Sequence, residues 1–573
     1  MKEETHLEAM LKNHRRKTLR ERYLDAKVVF LTEKLSRIQE EIDKRKINQD
    51  IGFLAMMLYV QEFIAKEAGK GYARDIYERL AFTKWPFSAY EPLLRAGDLK
   101  EKAGLAARVF VELEEERIRR EAEGYIKEQV LRVWRELGLS PSLDRAGLVK
   151  KLVEEKRRLY SRIGSRADRE RRRLVKELAE KGARKTELKL LNVGIIPTEL
   201  CPTECRFCLA PWKSSVKERL GRALREEEFR EIAREAVGFA NKHGLIVTIT
   251  GGEPLLEMER VLYVIGIANT RVELTTSGYW ARSMEATRRI LGRLERAVRS
   301  NNSPSFSFSL QLSVDFFHQE VRRGKNGELK ETVPVEYLAN VVEAVLREHD
   351  LDLCLLPKYT RYEDPLVLLL EELAGRGLKA RIARKFYDPR LRVSIPGEDG
   401  RLVEKPALLK AYLSFGSARK QVFLLYTAVE GIGGASVLEP FEYPAFKQRT
   451  AEFLEQEEST ERFPVLGLEV SDDGNVYPGA HALYSWCLGN LLETSMEEIA
   501  RNLEYDPLVI ALAENPARIK NIALKARPEL RGELEKASSP LVALYKILED
   551  DTLRLHITKK LVEEYAEGIP RRG

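Results

Sequence analysis

Three of the chain's five cysteines, Cys201, Cys205 and Cys208, fall within the eight residues CPTECRFC. Gaps of three and then two residues put three thiols on one short loop. Each can hold a different iron of a cubane [4Fe–4S] cluster, for which cysteine is the usual ligand. The fourth iron then has no protein ligand, and an exposed iron can bind a small molecule and pass it an electron. A structural zinc site would want a fourth ligand and usually a second two-cysteine knuckle, which the sequence lacks. A disulfide plus a free thiol suits a cytosolic enzyme less still.

The elements that must position this loop change character near residue 187. From there the runs LNVGIIPT, LIVTIT, RVELTTSG, FSLQLSVD, LDLCLLP and KARIARKF alternate with helix-length amphipathic segments. Such βα units give a parallel sheet. In FSLQLSVD the residues Ser309, Gln311, Ser313 and Asp315 share one side, and in VELTTS Glu273, Thr275 and Ser277 do the same. Polar alternation in central strands means that one face borders a wet cavity or a ligand. The expected fold is therefore α/β, a partial (β/α)6 TIM-like barrel over residues 187–400, with its functional residues at the C-terminal strand ends. The cysteine loop follows the first strand, at that mouth. Residues 1–186 read as an all-α domain, with Leu24, Val28, Leu31, Leu35, Ile38 and Ile42 forming a helix-packing stripe. Residues 401–573 read as an α+β C-terminal cap, with a hairpin in LGLEVSDDGNVYPG.

The triplet, with aromatic Phe207 just before its last cysteine, resembles the CxxxCxΦC motif of the radical S-adenosylmethionine (radical SAM) superfamily. GGEP at 251–254, TTSGYWA at 275–281 and SVDFFHQE at 313–320 resemble further stretches of that superfamily, over roughly residues 187–390. The resemblance implies two cofactors, one [4Fe–4S] cluster and S-adenosyl-L-methionine (SAM), with Cys201, Cys205 and Cys208 holding the metal. It implies that SAM chelates the open iron, that the reduced cluster splits the S–C5′ bond, and that the resulting 5′-deoxyadenosyl radical takes hydrogen from substrate. On this reading Gly251 and Gly252 let backbone approach the methionine part of SAM, and Glu253, followed by Pro254, holds its amino group. Phe207, Ser277, Ser313 and Asp315 would face the cofactor; Arg381 or Arg384 would meet a carboxylate of SAM or substrate. His318, Lys358 and Tyr359 are the candidates for acid–base or substrate contacts near the mouth.

The C-terminal stretches SDDGNVYPG and CLGNLLETSMEEIARNLEYDPLVIAL resemble a SPASM or twitch region, found in many radical SAM proteins that modify peptides or proteins. Gly479 stands where that region carries a cysteine, and only Cys354 and Cys487 remain outside the triplet, so four cysteines for a second cluster are lacking. Cys487 reads as a buried structural cysteine, with His481 the neighbour that would join it in any ligand role. A peptide or protein substrate leads, together with an external one-electron donor. Modification of nucleic acid or lipid, and a non-catalytic iron–sulfur carrier or sensor, are the alternatives.

The net charge of +7 is concentrated: residues 145–189 hold 17 Lys or Arg against 7 Asp or Glu. That surplus suits either a solvated helix face or a contact for an anionic partner. The charged N-terminus is unlike a signal peptide, and the ten-residue apolar run IGFLAMMLYV is too short to span a bilayer, so a cytoplasmic enzyme without a transmembrane segment is expected.

Overall fold

The computed structural model describes residues 17–44, 166–203, 205–208, 226–323, 328–360, 362, 365–387, 392–396, 402–406, 408–415, 417–428, 447–459, 461–479, 486–535, 537 and 539–567. They divide into two compact units, one drawn from residues 166–320 and 331–567, the other from 17–44 and 321–330.

In the second unit, helix α1 (Leu19–Lys44) packs against strand β5 (Val321–Arg323) of a small hairpin completed by β6 (Leu329–Glu331). A capping box starts α1: Thr18 Oγ1 accepts from Glu21 N, and Glu21 Oε2 accepts from Thr18 N. Leu24 and Leu31 of the expected stripe are buried; the side chains of Leu35, Ile38 and Ile42 lie outside the described residues.

The first unit is built on one large sheet. Its strands in chain order are β1 (Asn192–Ile195), β2 (Ile246–Ile249), β3 (Arg271–Thr276), β4 (Ser307–Val314), β7 (Asp352–Tyr359), β8 (Lys379–Tyr387), β11 (Leu408–Phe415), β12 (Ala418–Leu425), β13 (Thr427–Ala428), β14 (Gly467–Val470), β15 (Asn475–Pro478) and β16 (Gly489–Asn490). A separate pair is formed by β9 (Arg392–Pro396) and β10 (Leu402–Pro406). Side by side the main order is β16-β15-β14-β1-β2-β3-β4-β7-β12-β11-β8, and every pairing from β14 to β12 is parallel. Helices α3 (Glu226–His243), α4 (Met258–Ile267), α5 (Met284–Ser300), α6 (Val335–Arg347) and α7 (Pro365–Gly375) provide crossovers. One strand face carries Val193, Ile195, Val247, Ile249, Val272, Leu274, Leu310, Leu312, Leu353 and Leu355, all in the core with the buried sides of these helices. The other face carries Glu469, Gly194, Thr248, Glu273 and Ser309 side by side, and beyond them Thr275, Gln311 and Cys354. This is the partial α/β barrel with one polar face.

Two strands are not where the sequence pattern puts them. KARIARKF was expected to follow LDLCLLP in the parallel order, but β12 takes that place and β8 lies at the sheet edge, antiparallel to β11. Cations at 379, 381, 384 and 385 suit an edge, whereas the apolar VFLL of β12 suits a buried position. Strand β14, expected in a separate cap, pairs in parallel with β1.

Helix α2 (Arg166–Glu180) also departs from the division at 186. It packs on C-terminal helices α9 (Met496–Glu504) and α14 (Asp551–Glu567). The remaining C-terminal helices are α10 (Pro507–Glu514), α11 (Ala517–Ala526), α12 (Arg531–Leu534) and α13 (Pro540–Glu549), after α8 (Lys447–Glu455). Arg171 pairs with Asp506, Arg554 with Asp168 at 2.6 Å, Lys176 with Glu498, Arg184 with Glu514 and Lys185 with Glu504. Much of the basic surplus in residues 166–189 thus faces the chain's own carboxylates; residues 145–165 lie outside the described residues. No helix among the described residues is long and apolar enough to cross a membrane.

Candidate active site at the cysteine loop

At the C-terminal ends of the parallel strands lies a cavity of about 390 Å³. Cys201, Cys205, Cys208, Phe207, Gly251, Gly252, Ser277, Ser313, His318 and Lys358 line it, as do Thr203, Thr250, Thr275, Gln311, Thr427 and Glu469.

The cysteine loop is held from three sides. First, the turn after β2 presses on the segment leaving β1: Gly252 N donates to Thr198 O and Glu253 N to Leu200 O, at 3.0 and 2.7 Å. A Cβ on Gly252 would lie 2.0 Å from the Leu200 carbonyl oxygen, and Gly251, at φ +128°, would place one 2.6 Å from Ile196 Cγ2. These glycines therefore allow two stretches of this chain to touch, and they also line the cavity, where the resemblance has backbone approach SAM. Second, the turn between β14 and β15 accepts from Glu199 N through Asp472 Oδ2 at 3.3 Å.

Third, the loop after β4 stacks on it. Phe317 lies 5.0 Å from Phe207 between ring centroids, His318 meets Phe207 edge-on at 5.3 Å, and Arg206 Nε donates to Glu320 Oε1 at 3.0 Å. Asp315 is fully buried; its Oδ1 accepts from His318 N and its Oδ2 lies 2.6 Å from His318 Nδ1. Burial alone would lower the His318 pKa, but Asp315 and the neighbouring Cys205 thiol outweigh it and hold the imidazole well above its ordinary value. Burial likewise pushes the Asp315 carboxyl up, and the His318 charge more than reverses that. His318 is thus occupied as a support of the cysteine loop.

The donor set suits the iron cluster that the spacing implies. Three thiols of one loop share the cavity wall, and the Thr203 hydroxyl lies 3.1 Å from the Cys201 sulfur and 3.3 Å from that of Cys205. Burial pushes the Cys201 thiol up to about 11, so iron would displace a proton there. Among the described residues no three His, Cys, Asp or Glu side chains converge as a single ion requires. A cubane makes no such demand, because each thiolate takes its own iron.

The polar floor differs from expectation at Glu253. It is 1% exposed and off the cavity wall; Thr276 Oγ1 donates to its Oε1 at 2.6 Å, and Ser277 donates to its Oε2 from Oγ at 2.5 Å and from N at 3.0 Å. Desolvation raises its pKa, only partly offset by those hydrogen bonds. It orients Ser277, which faces the cavity. Pro254 is also buried, as the first residue of a 3-10 turn. The side chains of Tyr359, Arg381 and Arg384 lie outside the described residues, as does His481. Cys487 is buried with its sulfur 3.4 Å from Gly489 O.

Glu469 was missed. It sits on β14 opposite Gly194, and a Cβ on Gly194 would lie 2.9 Å from Glu469 Cγ, so the glycine lets the neighbouring strand's carboxylate lean toward the cavity. An acidic residue alternating with apolar ones in GLEV was the available signal. Thr427 and Thr203 carried none.

Residues 195–341 match the family model of the radical SAM superfamily. No curated protein matches the sequence. Among solved structures, His6-tagged anSMEcpe with bound AdoMet is 14% identical, with 67% of this chain and 97% of that chain covered and a TM-score of 0.31. Native anSMEcpe with bound AdoMet and Cp18Cys peptide is 15% identical, with 66% and 99% covered and a TM-score of 0.31. The matched segment contains the cysteine loop, the GGEP turn and β1 to β4. Residues 195–341 are a radical SAM domain, whose cofactors are a [4Fe–4S] cluster and SAM.

Proposed function

We propose that this enzyme cleaves SAM reductively and abstracts hydrogen from a peptide or protein substrate. The observation that carries the reading is the placement of three thiols of one loop on the same cavity as the Gly251–Gly252 turn and the polar strand face. When bound, the cluster and SAM supply a one-electron source and a 5′-deoxyadenosyl radical. The chain's own work is to hold and to exclude. Cys201, Cys205 and Cys208 would hold the cluster, with Thr203, Phe317 and the Arg206–Glu320 pair fixing their loop. Ser277, kept in place by Glu253, and Ser313 would contact SAM. Thr275, Gln311 and Glu469 offer polar contacts deeper in the cavity, which together limit the C–H bonds within reach.

The peptide or protein substrate is supported by the likeness of SDDGNVYPG and the helices after it to a SPASM or twitch region. An external one-electron donor is required by the chemistry. A cytoplasmic setting suits five free cysteines and an oxygen-sensitive cluster. An anionic partner at the basic segment 145–189 is also proposed, although Arg171, Lys176, Arg184 and Lys185 of that segment meet the chain's own carboxylates.

The test is anaerobic reconstitution with iron and sulfide, then reductant and SAM, with chromatography for 5′-deoxyadenosine. Product that disappears in Cys205→Ala supports the reading. An intact cluster with no product would replace it with an electron-carrying or sensing role.

A further inference from the structure

Residues 282–299, which include most of α5, hold six arginines against two glutamates and no lysine. Three of the arginines are spent within the chain. Arg293 meets Glu259 of α4, Arg288 meets Glu348 at the end of α6, and Arg299 meets Glu295 one turn back. The other three, Arg282, Arg289 and Arg296, are exposed, and among the described residues no carboxylate lies within ion-pairing distance of them. Arg282 stands just before Ser283, the cap of α5, with its guanidinium 4.5 Å from the Tyr279 ring centroid. A seven-residue step along a helix returns to nearly the same face, so Arg289 and Arg296 form one row about 10 Å apart. The paired Arg293 and Arg288 lean toward α4 and α6 and leave that row to solvent. Glu285, in the first turn, is exposed and makes no ion pair with Arg289.

An ordinary solvated helix mixes its signs. The whole chain does so, with 97 Lys or Arg against 90 Asp or Glu. A row of unpaired arginines departs from that balance, and arginine's planar fork suits carboxylates across an interface. We propose that Arg282, Arg289 and Arg296 form the docking surface for an acidic one-electron donor protein. The row begins five residues after Ser277, which shares a cavity with the three cysteines, so at most about 18 Å of chain separates Arg282 from that wall. Helix α5 has no aromatic side chain on which bases could stack, so a nucleic acid is the poorer match. The donor, a reduced flavin or iron–sulfur protein, loses one electron for each SAM cleaved, and no bond of the donor is made or broken. The inference rests on the proposed reaction, which is what requires a donor.

The experiment uses the reconstituted full chain. Formation of 5′-deoxyadenosine is measured with dithionite, and with an acidic flavodoxin or ferredoxin kept reduced by its reductase. Binding of the same two proteins in their oxidised form is measured by biolayer interferometry. R282E/R289E/R296E reverses the row, and R282K/R289K/R296K keeps its charge. The protein-driven rate and the binding should fall about tenfold or more in the reversed variant and stay near wild type in the lysine variant, while the dithionite-driven rate is equal in all three. In the wild type, both protein-dependent quantities should fall as salt rises from about 0.05 to 0.5 M. Binding and protein-driven rates that ignore the reversal overturn the proposal, as does failure of both donors to bind the wild type. If the same reversal abolishes retention of single-stranded RNA, the row belongs to nucleic acid. Because the salt series uses the wild type, misfolding of the reversed variant would not mask the answer: binding indifferent to salt overturns the proposal. Absence of product from the wild type with dithionite would sink the proposed function, and the binding arm would still decide the docking surface.

Discussion

Between α2 and the C-terminal helices, Arg171 pairs with Asp506 and lies 4.9 Å from the Trp486 ring, while Arg554 meets Asp168 at 2.6 Å; all four charged side chains are buried. At and beside the cavity, polarity is arranged differently. Glu253 has only hydroxyl and backbone donors, Lys358 has a hydroxyl and a ring, and three thiols share one wall. In the first region every buried charge meets its opposite, as a structural joint requires. In the second, His318 meets Asp315, but among the described residues Lys358 has no carboxylate at contact distance, and the thiols face the cavity. The contrast separates a joint from a site: the joint is buried and matched charge for charge, whereas Cys201, Cys208 and Lys358 are only half-buried at the cavity.

The largest effect expected is at the joint. Asp506→Ala strips the counter-ion from Arg171 and should lower stability by about 3–5 kcal/mol in urea unfolding. Part of that loss is helical, because Asp506 Oδ1 also caps α10 by accepting from Leu508 N at 3.0 Å. The pair itself is replaceable: Arg171→Met with Asp506→Leu should recover most of the loss. A cost below about 1 kcal/mol for Asp506→Ala would mean that the two regions do not differ in this way.

Next comes Gly252→Ala, which strains the backbone under the cysteine loop. With a Cβ 2.0 Å from the Leu200 carbonyl oxygen, one of the two stretches must move, at about 1–3 kcal/mol. The movement is passed to Cys201, one residue beyond Leu200, so slower iron uptake on reconstitution should accompany the loss. Lost stability with unchanged iron uptake would show that the turn supports the sheet and not the cysteine loop.

Much of the site was legible because it is local. Cysteine spacing, the glycine turn and the period-two polarity of β3 and β4 are short-range patterns, and they placed Cys201, Gly252, Ser277 and Ser313 on one cavity. What was not legible depends on pairing between distant segments. Nothing near Gly467 says that β14 will lie beside β1, so Glu469 went unnoticed; nothing near Arg171 says that Asp506 awaits it. The sixth parallel position is instructive: KARIARKF came next in sequence, but its cations favoured an edge and the hairpin partner of β11 took the place. Glu253 was named by its motif, but its bonds to Thr276 and Ser277 were not legible, since a motif tells which residue is present and not which way its carboxylate turns.

A smaller effect is expected from Glu253→Gln, and it depends on pH. Desolvation holds the Glu253 pKa above its unfolded value near 4.5. The folded state therefore binds this proton more tightly. The stability contributed by protonation is fully present below the unfolded pKa and is lost as pH rises through the folded one. In the iron-free protein, the wild type should gain on Glu253→Gln as pH falls from neutral toward about 4.5. Parallel urea midpoints across that window would show instead that its hydroxyl donors fully repay the burial of the charge.

The smallest effect has the opposite sign from the first, and it sets the two regions most directly against each other. Lys358→Met keeps the length of the stem while removing an ammonium that, among the described residues, has no carboxylate at contact distance. Against that gain stand the lost hydrogen bond to Thr427, the lost contact of the ammonium with the Phe207 ring and the lost attraction to Asp315, each modest because the first is neutral at one end, the second spans 5.6 Å and the third is shared with His318. The iron-free variant should therefore be as stable as the wild type or more so by up to about 1 kcal/mol, where Arg171→Met should lose several. A loss comparable to that of Arg171→Met would mean that Lys358 is already neutralised by the chain itself, which would place it with the joints.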